Sequence, residues 1–391
     1  MKKKIGLMLV GINGAIATTV SAGIEGIKKG FMDSVGLVTE IPEFSHLGFA
    51  DINDLVIGGW DIIDTPHMEC MKKHNVIPEL LYYKLQESGM EVDVYKAPKV
   101  GITNHILYVD GANQSENIVT AKEAVNKIMN DINDFVARHN LDGCVIGNLS
   151  STEPLPEVCD IYDSVENFEK AIEANDVRLR ASMIYAYASI KNHSPFFNFT
   201  PNSCICLPAI KELALKEQVA IAGNDGKTGQ TLYKTVIAPM LKWRNLKLVG
   251  WYSTNILGNN DGRVLDDPVH KETKIKSKSK VLDKILGYSD FCHRVDINYY
   301  PPRGDAKEAW DTIDSKGWMG VNMCMKINWI GVDSILAAPL VVDLARLLWY
   351  TQENEDYGIA KHLSSFFKDP ADNDDHNFGN QTLLLSNYLL K

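Results

Sequence analysis

This sequence predicts an α/β fold, and three observations carry the prediction. An apolar run at residues 5–10 passes through a small-residue turn into a helix-like stretch ending near Lys29. A second apolar run, 219–222, leads through Gly223-Asn224-Asp225-Gly226-Lys227-Thr228-Gly229-Gln230 into a helix-like stretch at 231–241. Polar loops also follow the apolar runs at 143–149 and 246–251. Hydrogen-bonding groups thus gather where buried strands end, which is the ligand-binding edge of α/β sheets.

Composition narrows the function class. The chain has 391 residues, 45% hydrophobic and 23% charged, which suits a globular protein with two domains or one large insertion. A net charge of −10 argues against nucleic-acid binding, which favours a basic surface. It does not argue against a small anionic substrate, because a local lysine cluster overrides the global sign. The seven cysteines form no CxxC pair and no regular framework, as expected of reduced thiols in the cytoplasm. Cys204 and Cys206 lack partners at metal-ligand spacing. Lys2, Lys3 and Lys4 before an apolar run resemble a secretory start, but Gly11, Asn13 and Gly14 interrupt that run after six residues. A buried first strand is the better expectation. Residues 330–349 are apolar too, yet Asp333, Pro339, Asp343 and Arg346 interrupt them, so a core helix is expected there and no membrane span.

Along the chain, Gly11-Ile12-Asn13-Gly14-Ala15-Ile16-Ala17 has the spacing GxxGxxA, a degenerate dinucleotide fingerprint. The run 35–39 reads as the second strand and ends at Glu40, where an acid would hold the ribose hydroxyls of NAD and repel a 2′-phosphate. Residues 57–61 read as a turn that brings Trp60 and Asp61 to the same edge. Helical periodicity covers 76–89 and 115–139, and 165–191 reads as two helical pieces. Residues 143–149 form a further buried strand, ending in a polar loop that holds Ser151 and Thr152. The loop 198–203 is rich in hydrogen-bonding groups. Five lysines fall between 271 and 280, with Lys274 and Lys278 on one helix face. Residues 294–300 read as a strand, followed by tandem prolines that order the loop before Lys307. Residues 318–330 look strand-rich, Asp333 opens the last long helix, and the tail 371–380 is polar with no fold signal.

The loop 223–230 has the chemistry of an anion site. Glycines let backbone N–H groups converge on a ligand at a helix start, and Thr228 and Gln230 add side-chain donors. Asn255 to Gly262 forms a second loop of similar chemistry. Tight turns that need Gly, Asn and Asp would explain either loop alone.

In order, the motifs GGWD (58–61), SSTEP (150–154), NFTP (198–201), GNDGKTGQT (223–231), NxLGNNDG (255–262), KxxxK (274–278), GDAK (304–307) and DSILAAPL (333–340) strongly resemble the myo-inositol-phosphate synthase family, of the compact prokaryotic type. The resemblance spans nearly the whole chain, although the first turn has fewer glycines than the eukaryotic pattern. It implies a Rossmann-like NAD-binding domain built from 1–200 and 331–391. Between these parts it implies an inserted mixed α/β domain at 201–330 that carries catalytic residues and builds a homotetramer. The implied activity is an isomerase (intramolecular lyase) that converts D-glucose 6-phosphate to 1L-myo-inositol 1-phosphate, for inositol and phospholipid synthesis. In that chemistry C5 is oxidised, C6 loses a proton and attacks the C1 aldehyde, and the ketone is reduced again.

By the same resemblance, Lys274, Lys278, Lys307 and Lys368 match active-site lysines, and Lys274 or Lys307 is a candidate proton shuttle. Asp225, Asn255, Asp261 and Asp333 match positions around the substrate and nicotinamide. Thr228, Gly229 and Gln230 bind the phosphate. The expected cofactor contacts are Gly11, Asn13, Gly14, Ala15, Glu40, Asp61, Ser151, Thr152, Asp225, Asn260 and Asp333. A divalent or monovalent cation is left open, with Asp225, Asn260 and Asp261 as candidate donors. A sugar-phosphate dehydrogenase, or a non-catalytic NAD-dependent regulator, are the competing readings. The first would release NADH, and the second would be expected to have lost some of the four lysines.

Overall fold

The computed structural model describes residues 3–100, 118–154, 156–258 and 281–391. Asn260, Asp261, Lys274 and Lys278 lie outside the described residues. The chain forms two compact units, one of Met1–Gly226, Ala338–Asp372 and Leu390, the other of Lys227–Ala337, Asn373–Leu389 and Lys391.

The first unit is built on seven parallel strands: β1 (Ile5–Val10), β2 (Val56–Asp61), β3 (Asp93–Lys96), β6 (Gly143–Asn148), β7 (Phe196–Asn198), β8 (Ala220–Gly223) and β13 (Gly358–Ile359). A separate two-stranded ladder joins β4 (Lys99–Val100) and β5 (Ile118–Val119). The order in the large sheet is β13-β8-β7-β6-β1-β2-β3. From β1 the chain winds one way to β3, and from β6 the other way to β13. This reversal makes the C-terminal ends of β1 and β6 a topological switch point, where doubly wound sheets bind dinucleotides. The Rossmann-like α/β prediction holds.

The helices of this unit are α1 (Ala15–Lys28), α2 (His67–His74), α3 (Glu79–Glu87), α4 (Ala121–His139), α5 (Val165–Glu173), α6 (Ala181–Lys191) and α7 (Pro208–Lys216). A capping box between Thr120 and Glu123 starts α4, which buries Ile128, Ile132 and Phe135. Its Phe135 ring sits where a Cβ on Gly6 or Gly58 would reach within 2.8 and 2.7 Å, so the two glycines let the helix lie close on the sheet. The helix Asp333–Glu353 is long and apolar enough to cross a membrane, yet Val341, Leu344, Ala345 and Leu348 are buried.

In the second unit β9 (Lys247–Leu257), β10 (Cys292–Tyr299), β11 (Ala306–Lys316) and β12 (Asn322–Val332) form a mixed sheet in the order β10-β9-β11-β12. Its β10–β9 pair is parallel and the other two are antiparallel. From Trp251 to Leu257 alternate residues of β9 are buried, and Leu248 and Trp251 cluster with Ala238 and Leu241 of α8 (Gly229–Trp243).

Several expectations change. Residues 35–40 are not a strand: Gly36 takes φ +102°, which breaks the pleat, and Val38–Glu40 is a 3-10 turn. Backbone N–H groups of Val38 and Thr39 donate to the Asp343 carboxylate at 2.7 and 2.9 Å instead of to a neighbouring strand. Gly58 to Asp61 are the end of β2 and not a turn, and Asn255 lies within β9 and not in the loop after it. The tail is partly ordered, since a helix begins at Phe378 and runs to Leu389. Residues 201–226, expected with the inserted domain, belong to the first compact unit, because β8 hydrogen-bonds to β7 within the seven-stranded sheet.

Candidate active site

At the switch point the chain leaves β1 through Gly11, whose φ of +87° suits glycine. A Cβ there would lie 3.3 Å from the Leu149 carbonyl oxygen at the end of β6. Gly14 caps α1 and, having no side chain, offers no acceptor to the first N–H groups of the helix, which begins at Ala15. A close-approach glycine beside an uncapped helix start is the cradle that a pyrophosphate requires, so these residues fit a dinucleotide. The Ser150 hydroxyl oxygen is buried without a partner among the described residues, and Ser151 and Thr152 are exposed beyond it.

Asn13 holds the turn in shape. Its backbone N–H donates to Asp61 Oδ2 at 2.8 Å, and its amide donates to the carbonyl oxygens of Ile63 and Thr65. The remaining Oδ1 accepts from His67 Nδ1 at 3.0 Å, which fixes the tautomer, and His74 Nε2 donates to the Asn13 carbonyl at 2.8 Å. Burial pulls the His67 pKa down to about 4 and pushes that of Asp61 up. With its side chain so engaged, Asn13 shapes the cofactor turn and does not itself reach out to a ligand. Asp61, and not Glu40, is the acid at the end of the strand beside β1.

Glu40 is placed differently. Its Oε1 accepts from Arg346 Nη1 at 2.6 Å, and Arg346 Nε donates to the Ala50 carbonyl at 2.8 Å. Arg346 Nη1 also donates to Thr39 Oγ1, and the Thr39 hydroxyl donates to Asp343 Oδ1 at 2.6 Å. Burial pushes Asp343 up to about 6. Two residues of the helix Asp333–Glu353, far away in sequence, thus anchor the segment that carries Glu40.

Polar residues end the other strands. Asn148 donates to Asn198 Oδ1 at 3.0 Å, and Asn198 donates to Asn224 Oδ1 at 2.7 Å. Asp225 follows at φ +59°, with its N–H on the Thr200 carbonyl and its Oδ1 accepting from Lys368 Nζ at 2.8 Å. The first unit therefore pairs two of the expected residues, Asp225 and Lys368.

In the second unit the start of α8 gathers the rest. Thr228 caps α8 without a side-chain bond to the helix; its hydroxyl donates to Asp333 Oδ1 at 3.4 Å. Lys307 Nζ lies 3.5 Å from the same oxygen. The GDAK and DSIL motifs clasp each other there: Ser334 N–H donates to Asp305 Oδ2 at 2.9 Å, and Asp333 N–H to the Asp305 carbonyl at 3.1 Å. Thr228, Gly229, Lys307 and Asp333 are thus brought together around a helix start that its N-cap side chain does not cap. This arrangement can hold a phosphate and face it with an ammonium group.

Gln230 departs from expectation. Its amide is buried, donating to Asp311 Oδ2 at 2.9 Å while its Oε1 accepts from Asn255 Nδ2 at 2.8 Å. Asp311 Oδ1 takes Trp251 Nε1 and Ser253 Oγ, each at 2.7 Å. The Gln230 side chain is thus engaged with Asp311 and Asn255, and its backbone N–H is the group at the helix start. Asn255 keeps a buried Oδ1 without a partner among the described residues.

Sequence reasoning passed over Lys227, buried with its Nζ on Gln381 Oε1 and 5.7 Å from the Phe378 ring. Burial pulls it down to about 7. A lysine inside a glycine-rich motif was a usable signal; Gln381, just past the polar tail, gave none. Among the described residues no group of three or more His, Cys, Asp or Glu stands ready to hold a metal.

The sequence pattern of the NAD-binding family described as myo-inositol-1-phosphate synthase matches residues 5–389. Inositol-3-phosphate synthase 1 of Bacteroides thetaiotaomicron is 37% identical over 392 residues, covering 95% of this chain and 91% of its own. Inositol-3-phosphate synthase of Dictyostelium discoideum is 30% identical over 384 residues, covering 88% and 74%. Among solved structures, inositol-3-phosphate synthase of Caenorhabditis elegans is similar with a TM-score of 0.88 at 26% identity, over 100% of this chain and 86% of its own. A myo-inositol-1-phosphate synthase-related protein of Thermotoga maritima gives 0.82 at 25%, over 100% and 98%. With its family pattern matched almost end to end and a dinucleotide cradle at its switch point, this chain belongs to the myo-inositol-1-phosphate synthase family.

Proposed function

We propose that the protein is an NAD-dependent isomerase that converts D-glucose 6-phosphate to 1L-myo-inositol 1-phosphate. Beside family membership, one observation carries this reading: Lys307 and Asp333 stand together at the uncapped start of α8. Gly11, Gly14 and Ala15 would hold the pyrophosphate of NAD, with Ser151 and Thr152 alongside and Asp61 or Glu40 on the ribose. When bound, NAD supplies the acceptor for the C5 hydride and the means of returning it.

The chain's own groups do the rest. Backbone N–H groups of Thr228, Gly229 and Gln230 bind the phosphate. Lys307, beside the Asp333 carboxylate, stabilises negative charge that develops on a sugar oxygen. Asp333 orients that ammonium, and Asp225 does the same for Lys368. Asn255 Oδ1 accepts a sugar hydroxyl. Lys274 and Lys278 are assigned the remaining proton and oxyanion work, with Asp261 and Asn260 positioning substrate and cofactor. A cation near the phosphate, a homotetrameric assembly and a role in phospholipid synthesis complete the proposal. A cytoplasmic location is supported by seven cysteines that are all free.

The test follows the hydride. Glucose 6-phosphate deuterated at C5, supplied with unlabelled NAD in enzyme-like amounts, should give inositol phosphate that keeps its deuterium. Stoichiometric label in free NADH would instead identify a sugar-phosphate dehydrogenase.

A further inference from the structure

Trp329 stands at the start of α8 with its ring half-buried and its indole Nε1 buried. Its indole folds across Gly331, where a Cβ would lie 2.6 Å from the ring Cζ3, so a glycine at 331 leaves room for the ring. The far edge of the ring reaches the beginning of α8. A Cβ on Gly229 would lie 3.1 and 3.2 Å from its Cη2 and Cζ2, and 3.9 Å from Lys307 Cδ. Tyr233, one turn along α8, packs on the ring with centroids 5.5 Å apart. Register agrees, because β11 pairs Lys307 with Gly331 and Ala309 with Trp329, which puts Lys307 and Trp329 on one face of the sheet.

The indole Nε1 is buried and has no partner among the described residues. It is joined through Cε2 to Cζ2, the atom that lies against Gly229. Folded proteins seldom leave such a donor unsatisfied, since a buried N–H without an acceptor costs more than a hydrogen bond returns. An oxygen-rich ligand at the helix start would supply the acceptor.

We propose that Trp329 is a substrate-binding residue, its indole N–H donating to an oxygen of the phosphate ester seated at the start of α8. Its ring walls that site beside Lys307. The inference rests on reading the α8 start as the phosphate site.

Trp329→Phe keeps an apolar ring over Gly331 and removes only the donor. The KM for glucose 6-phosphate should rise about ten- to a hundredfold, the loss expected for one hydrogen bond to a charged acceptor, with kcat within about twofold. Trp243→Phe, at the exposed end of α8, should change neither. A readout independent of turnover uses the holoenzyme labelled with 5-fluorotryptophan. The Trp329 resonance, assigned by its loss in Trp329→Phe, should shift with glucose 6-phosphate and stay put with glucose. If Phe at 329 does not fold, Trp329→Tyr assigns the same resonance. An unmoved resonance, a shift with glucose as well, or an unchanged KM overturns the assignment. Turnover by the wild type separates the two readings: if it makes inositol phosphate while Trp329 fails these tests, only the tryptophan is misassigned. A wild type that neither turns over nor binds glucose 6-phosphate overturns both.

Discussion

Replacing Lys307 with Met removes the ammonium and keeps the aliphatic stem that packs beside Gly229. The ammonium lies 3.5 Å from Asp333 Oδ1, and the two side chains are 17% and 21% exposed. At that distance and an effective dielectric near 20, the Coulomb attraction between unit charges is at most about 5 kcal/mol. Partial exposure and salt reduce it. An oxyanion forming beside the ammonium would draw on an interaction of similar reach. Removing one preorganised donor of this kind typically costs about 3 kcal/mol, or about a hundredfold or more in kcat. The variant also removes the Lys307 ammonium from beside Asp333, which lessens the positive charge facing the developing oxyanion. The assay is steady-state production of inositol phosphate by Lys307→Met, with melting temperature as the check on folding. Lys247→Ala removes an exposed lysine of the same unit, 57% accessible and paired with Asp290, and should be close to silent. Loss of less than threefold in Lys307→Met, or equal loss in both variants, would refute the oxyanion role and leave only a diffuse basic field.

Two further outcomes are expected. Gly11→Ala puts a Cβ 3.3 Å from the Leu149 carbonyl at a φ of +87°, and should weaken NAD binding about tenfold, measured by calorimetry, through the roughly 1–2 kcal/mol strain of a left-handed L-residue; unchanged affinity would show that the turn does not approach the pyrophosphate. His67, held at about 4 by burial against an ordinary value near 6.5, favours the folded state above pH 6.5 and loses that contribution as pH falls toward 4, since the unfolded chain binds the proton first. The loss is of order 2–3 kcal/mol. His67→Gln, which keeps a donor for Asn13 Oδ1, should flatten this part of the denaturant-measured stability curve, and His376, also held at about 4, should leave a residual slope. An unchanged slope would remove His67 from the account.

The order of buried strand, small-residue turn and helix is local, so β1, Gly11, Gly14 and α1 could be read from apolar runs and glycines alone. The same holds for β8, the loop to Gln230 and α8, and for the succession of motifs that carries the family resemblance. What the sequence could not assign was each strand's neighbour. Residues 35–40 and 56–61 are both short apolar runs ending in an acid, and periodicity does not rank them. The choice rests on partners hundreds of residues away: Asp343 takes the N–H groups of 38 and 39, Arg346 takes Glu40, and β2 is left to pair with β1. Gln230 shows the same limit at the substrate site. A glutamine at a helix start looks like a phosphate donor until β9 and β11 bring Asn255 and Asp311 to its amide. Local sequence fixes which groups stand at a strand end or helix start, because the backbone's own geometry decides that. Whether a side chain there faces a ligand or another side chain depends on long-range packing, because burying a polar group is tolerated only where a distant partner meets it.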